Sequence, residues 1–275
     1  MSAVIKNPGS SSLKVRFLRD GFLSPVSILD EREAAAHRLA MEKAEAVFGP
    51  LHYKSKIHSI FSDAARLATD ARVLDVVEQL IGPDILLFDV TYIVKERHTD
   101  AHVSWHQDLT YWGFSGDEQV SIWLALSPAT EESGCMRMLP GSHLGGRLHH
   151  EDTSDRNNVL RRGQTVPGVA EEHAVTCPLR PGEASFHHGW TLHSSMPNRS
   201  GERRIGFNAQ YIAPSMRQLV NPHETALLVR GQDHFRHFKP DVLATENFES
   251  TAVARHAALD RLRKATWDAS KGADR

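Results

Sequence analysis

The chain has 275 residues, 40% of them hydrophobic and 24% charged, with a formal net charge of −2. That composition supports a folded core, and the interleaving of acids and bases excludes a nucleic-acid stripe or a membrane-surface patch, so a small-molecule substrate is expected, with no nucleic-acid or membrane partner. No apolar run approaches the ~20 residues that span a bilayer, the opening MSAVIKNPGSSSLK lacks the apolar core of a secretory signal, and the only cysteines are Cys135 and Cys177, which together point to the cytoplasm.

In chain order, the first dozen residues are rich in Ser, Gly, Asn and Pro and read as a frayed end. Asp30 and Glu33 form the pattern of a capping box that opens an Ala-rich helix, EAAAHRLAMEKAEAVF, ended by Gly49 and Pro50. The spacing of Val73, Val76, Val77, Leu80 and Ile81 predicts a second helix over 70–81, closed by Gly82 and Pro83. From Ile85 onward the pattern changes to short β-rich runs: ILLFDVTYIVK, VSWHQD, VSIWLAL, CMRML, HAVTCPL, ASFHH and RRIGFNAQYI. The expected fold is mainly β, a sandwich or jelly roll with flanking N-terminal and C-terminal helices. The stretch TAVARHAALDRLRKATW is read as an amphipathic helix packed outside the sheet. Residues 144–172 are polar and aperiodic, which predicts a lid or insert loop over a site. One domain covering 1–275 is expected, as a monomer or homodimer.

Seventeen histidines are many for this length and give a first hint of metal chemistry. His106 and Asp108 stand two apart in a predicted strand, so both side chains project from one face and can hold one ion together. The third ligand is open among His143, His149, His150, His173, His187, His188 and His193. His193 is selected because Arg204 follows eleven residues later, in a run where Arg204, Gly206, Asn208 and Gln210 share one face and Ile205, Phe207, Ala209 and Tyr211 share the other. Such a polar inner face suits a barrel that encloses a charged ligand. Two histidines and one carboxylate on one side of an iron leave positions open for a bidentate 2-oxo acid and dioxygen. An arginine such as Arg204 can grip the distal carboxylate of that acid through a two-pronged ion pair.

The blocks VSWHQDLTYWG, VSIWLALSPATEESGCMRMLPGSH and LRPGEASFHHGWTLHSSMPNRSGERRIGFNAQYI resemble the phytanoyl-CoA dioxygenase family of iron(II)/2-oxoglutarate oxygenases, over a region from about Phe17 to Tyr211. The resemblance implies a double-stranded β-helix, a cupin-like jelly roll. It also implies iron(II) with 2-oxoglutarate and O2 as cosubstrates, and hydroxylation coupled to oxidative decarboxylation. Carried over by position, His106, Asp108 and His193 become the catalytic iron ligands, and Arg204 becomes the anchor of the 2-oxoglutarate C5 carboxylate. Ser195 assists that carboxylate, while Gln107 and Trp123 match cosubstrate contacts more loosely. Related halogenases replace the carboxylate ligand with a small residue, so Asp108 implies hydroxylation.

The resemblance is closest to the bacterial small-molecule branch, which includes hydroxylases of aminoalkylphosphonates. A phosphonate needs cationic or amide donors, for which Lys54, Lys56, Arg137, Asn198 and Arg199 are candidates; Arg137 stands out because it interrupts the apolar run CMRML. An ammonium or trimethylammonium favours aromatic faces, with Tyr53, Tyr92, Trp105, Tyr111, Trp112 and Trp190 as candidates. Two other readings of the same residues stand beside hydroxylation: a redox-neutral cupin-like metalloenzyme, which has no use for Arg204, and a metal-retaining sensor.

Overall fold

The computed structural model describes residues 12–160 and 163–269, so the frayed end expected over the first dozen residues lies almost wholly outside the described residues. The capping box forms as the sequence predicts: Asp30 accepts from the Glu33 amide at 2.7 Å, the Glu33 carboxylate accepts from the Asp30 amide at 2.8 Å, and the helix runs Glu31–Phe48. Asp70 caps the helix Ala71–Ile81 through the Arg72 amide. Numbering in chain order gives α1 Leu13–Asp20, α2 Glu31–Phe48, α3 Ser62–Ala68, α4 Ala71–Ile81 and α5 Ser250–Ala269. The strands are β1 Phe22–Ser27, β2 Ile85–Lys95, β3 Val103–His106, β4 Gln119–Ala125, β5 Met136–Met138 and β6 Val175–Cys177. They continue with β7 Glu183–His187, β8 His193–Ser195, β9 Arg204–Ile212, β10 Thr225–Arg230 and β11 Lys239–Pro240. Sequence periodicity did not reach α1, α3, β1, β8, β10 or β11.

The strands form a seven-stranded sheet ordered β1-β7-β4-β9-β2-β10-β11 and a four-stranded sheet ordered β3-β8-β5-β6, the two faces of a jelly roll. The alternation along β9 decides how the larger sheet is used. Ile205, Phe207, Ala209 and Tyr211 join Val90, Tyr92, Ile122 and Leu124 in the main hydrophobic core, where they meet Met41 of α2, Leu67 of α3 and Val77 of α4. The opposite face of the same strand turns Arg204, Asn208 and Gln210 into a cavity of about 440 Å³ between the sheets. The helices thus cover the apolar face, and the polar face is left for chemistry.

Two expectations need correction. The strand carrying His106 ends there, and Asp108 begins a 3-10 turn, Asp108–Tyr111, so the pair is brought together by a strand end and a turn rather than by strand alternation. Helix α5 does not lie simply outside the sheet. His256 Nε2 sits 2.7 Å from the Ser55 carbonyl, and Arg263, 3% exposed, reaches the cavity wall. The described part of 144–172 is ordered by single bridges between His102 and Asn158 and between Glu151 and Thr165, and it places Val159, Leu160 and Gln164 on the cavity. Among the described residues no helix is long and apolar enough to cross a membrane.

Candidate metal centre

Antiparallel pairing sets His106 at the end of β3 directly opposite His193 at the start of β8, with ring centroids 4.0 Å apart. The 3-10 turn then swings Asp108 between them. Its Oδ1 lies 3.5 Å from His106 Nε2 and 3.8 Å from His193 Nε2, and one donor atom from each of the three falls within 4.8 Å of the others. Each imidazole is oriented by its other nitrogen: His106 Nδ1 is 2.9 Å from the Ser104 carbonyl and His193 Nδ1 is 3.0 Å from the Thr191 carbonyl. A carbonyl only accepts, so both Nδ1 atoms carry the proton and both Nε2 lone pairs face the centre.

The second oxygen of Asp108 is held separately. Ser121 Oγ donates to Oδ2 at 3.1 Å and His187 Nε2 lies 3.3 Å from it. Burial alone would raise this carboxyl, but the neighbouring imidazoles of His106, His187 and His193 hold it well below the usual carboxylate range. Burial, reinforced by His106 and His187, holds the His193 imidazole far below its ordinary value. The centre is therefore an ionised carboxylate with a neutral imidazole, the protonation states in which these groups bind metal. Two imidazole nitrogens and one carboxylate oxygen on one side of a point that opens onto a cavity fit a non-haem iron(II) ion.

The same cavity is lined by Arg204, which stands beside a buried lysine. Arg204 is 1% exposed, its Nη1 donates to the Gly134 carbonyl, its guanidinium carbon lies 5.0 Å from the Trp123 ring centroid, and its Nε is buried without a partner. Gly134 is confined to glycine, since its φ is +71° and a Cβ there would meet the Met196 carbonyl oxygen at 2.0 Å. Opposite Arg204 in the sheet register stands Lys95, 2% exposed, whose Nζ donates to Ser195 Oγ at 2.7 Å and to the carbonyls of Ser195 and Met196. Burial first, then the charge on Arg204, pushes Lys95 down to about 6, and burial pushes Arg204 down to about 10. Among the described residues no carboxylate is ion-paired with either. Arg204, a buried cation on the cavity wall without a carboxylate partner among the described residues, forms a receptor for an anion such as a carboxylate.

Among the residues singled out in the sequence, the three ligand candidates, Arg204, Ser195, Trp123 and Tyr111 meet in this cavity. Others do not. Gln107 is fully buried and turned away: its Nε2 donates to the Gly146 and Trp190 carbonyls, and its Oε1 accepts from the Leu148 amide. Arg137 pairs with Glu171 at 2.9 Å and stacks 5.0 Å from Trp105, because alternation along β5 points Met136 into the cavity and Arg137 out of it. Trp105 is committed to that stack and lies outside the cavity lining. Lys56 is fully buried, donating to the Phe88 and Thr225 carbonyls and lying 3.3 Å from Asp241. Asn198 donates to the Lys95 and Glu202 carbonyls and braces the turn after β8.

A jelly roll with two histidines and a carboxylate around an open position, and a buried arginine in the same cavity, defines the class of non-haem iron(II) and 2-oxoglutarate-dependent oxygenases. The chain belongs to the phytanoyl-CoA dioxygenase (PhyH) family, whose profile matches residues 17–206. It is 29% identical to the probable alpha-ketoglutarate-dependent hypophosphite dioxygenase of Stutzerimonas stutzeri, over 55% of this chain and 55% of that one. It is 27% identical to the L-proline trans-4-hydroxylase of Streptomyces griseoviridis, over 70% of this chain and 82% of that one. The apo structure of the non-heme monooxygenase ThoJ is 30% identical, with a TM-score of 0.83 covering 95% of this chain and 99% of that chain. The chain spans about half the length of several curated relatives that it matches.

Proposed function

We propose that this protein hydroxylates an aliphatic C–H bond of a small zwitterionic metabolite, best represented by 2-aminoethylphosphonate or its trimethylammonio form, at the carbon next to phosphorus. The observation that carries the reading is a single cavity lined by the His106, Asp108 and His193 donors and by Arg204, with Lys95 opposite Arg204 in the sheet register. Bound there, iron(II) with 2-oxoglutarate and dioxygen supplies the oxidising power for hydroxylation, with succinate and carbon dioxide as coproducts.

The chain's own residues set the conditions. Arg204 and Lys95 draw the distal carboxylate of the cosubstrate inward, with Ser195 Oγ beside them and the Trp123 indole as one wall. Ser121 and His187 keep Asp108 facing the metal. Tyr53, Tyr111 and Trp112 line the same cavity and offer ring faces to an ammonium. Val159, Leu160 and Gln164 extend the wall from the 144–172 segment, which acts as a lid that excludes water. The whole chain acts as one catalytic unit in a reducing compartment, where Cys135 and Cys177 stay as the free, buried thiols they are here. The named activities of the hypophosphite dioxygenase and the proline hydroxylase support a phosphorus-bearing or amino-acid-like substrate.

The test is succinate release from 2-oxoglutarate in air with iron(II) present, measured with 2-aminoethylphosphonate, its trimethylammonio form, L-proline and hypophosphite in turn. Stimulation by a phosphonate with oxygen inserted beside phosphorus is expected. Stimulation by L-proline or hypophosphite alone would replace the substrate assignment.

A further inference from the structure

The wall of the cavity contributed by β2, β9 and α5 carries a buried ion pair that the iron chemistry does not use. Arg263 Nη2 donates to Asp89 Oδ2 at 2.5 Å, and both residues are 3% exposed and line the cavity. Asp89 is fixed in turn by the amides of Lys56 at 2.6 Å and Val90 at 2.7 Å and by Ser55 Oγ at 2.5 Å. Arg263 lies 4.3 Å from the Phe88 ring centroid, with Glu224 Oε2 3.8 Å from its Nη1. Directly across the sheet register from Asp89 stands Gln210, 6% exposed, whose Oε1 is buried without a hydrogen-bond partner.

A buried ion pair returns little net stability, because desolvation offsets its attraction and apolar replacements are often as stable. Its position on a cavity wall, beside an acceptor that lacks a donor, matches a ligand bearing both signs of charge. We infer that Arg263, Asp89 and Gln210 form the headgroup site of the substrate, with Arg263 taking the anionic group, Gln210 Oε1 accepting from the ammonium, and Asp89 aiming the guanidinium. This inference rests on the proposed hydroxylase reading and names the substrate class as a small zwitterion. Gln210 and Arg263 both lie beyond residue 206, where the family match ends, so specificity is carried by parts of the chain outside the family's common region.

The experiment is anaerobic binding to protein loaded with iron(II) and 2-oxoglutarate, using 2-aminoethylphosphonate and L-proline as zwitterionic probes and ethylphosphonate and ethylamine as single-charge controls. The wild type should prefer a zwitterion to both controls. Arg263→Gln should bind it about 30-fold or more weakly while its affinity for 2-oxoglutarate is unchanged. Gln210→Leu, which disturbs no ion pair, should lose the preference for 2-aminoethylphosphonate over ethylphosphonate, and it decides the matter if Arg263→Gln does not fold. Wild-type zwitterion binding in both variants, or a wild type that binds the single-charge controls as well as the zwitterions, would overturn the assignment and leave the pair as a staple for α5. Failure of the wild type to bind iron(II) and 2-oxoglutarate would instead overturn the hydroxylase reading.

Discussion

His187 Nε2 lies 3.3 Å from Asp108 Oδ2, while Asp108 Oδ1 faces the Nε2 atoms of His106 and His193. One carboxylate is thus divided between an oxygen for the metal and an oxygen for the protein. Replacing His187 with Ala leaves all three ligand side chains present but leaves Ser121 alone to hold the second oxygen of the carboxylate. Iron(II) affinity should fall about 10- to 100-fold, as is usual when a group orienting a metal ligand is lost. Equilibrium titration with iron(II) checks this; an affinity equal to wild type would remove the positioning role.

Lys95 links cosubstrate binding to pH. Its folded-state value is pushed down to about 6 by burial and then by Arg204, and a carboxylate arriving beside the pair raises it again. Below about pH 6 the lysine is already charged and binding needs no proton. Above that, the free protein has lost the proton and the bound protein regains it, so apparent affinity for 2-oxoglutarate falls as pH rises, by at most ~tenfold per unit. Titrations across this range should show the decline in the wild type and a flat, weaker profile in Lys95→Met. Identical profiles would show that Lys95 stays outside the anion site.

Gly206 keeps the Trp123 indole flat against β9. A Cβ at this position would lie 2.1 Å from Cε2 and Cζ2 of the ring, so Gly206→Ala must displace it. Because Trp123 also lies against Arg204, the variant should weaken 2-oxoglutarate binding and change the tryptophan emission while the protein stays folded. Unchanged cosubstrate affinity would separate Trp123 from the cosubstrate site.

The sequence made the long elements readable because they repeat a period enough times to be seen: α2 and α4 at 3.6, and β9 at two over nine residues. β8 has only three residues, too few for any period, although it carries His193. Asp89 and Lys95 were passed over inside ILLFDVTYIVK, which reads as a buried apolar strand. Charges at its fifth and eleventh positions share one face, and that was the available signal. Arg263 could not be read, since the face of α5 that meets the cavity depends on how the helix docks against Ser55 and Phe88. Arg137 and Lys56 stand away from the cavity because each has another partner: Arg137, singled out for interrupting an apolar run, pairs with the exposed Glu171, and Lys56 lies beside the buried Asp241.

The 144–172 segment is tied at its far end by the Arg137–Glu171 ion pair and contacts the cavity through Val159, Leu160 and Gln164. Trypsin cleavage at the exposed Arg147 and Arg156 should slow when iron(II), 2-oxoglutarate and a zwitterionic probe are all present. Equal cleavage in every state would contradict a lid.

The most direct measurement is anaerobic titration of the protein with iron(II) and then 2-oxoglutarate, following the visible charge-transfer band of the chelated cosubstrate. The band should grow to a saturating level in the wild type and be lost in His193→Ala. No band in the wild type, or an undiminished band in His193→Ala, would contradict a metal centre built from His106, Asp108 and His193.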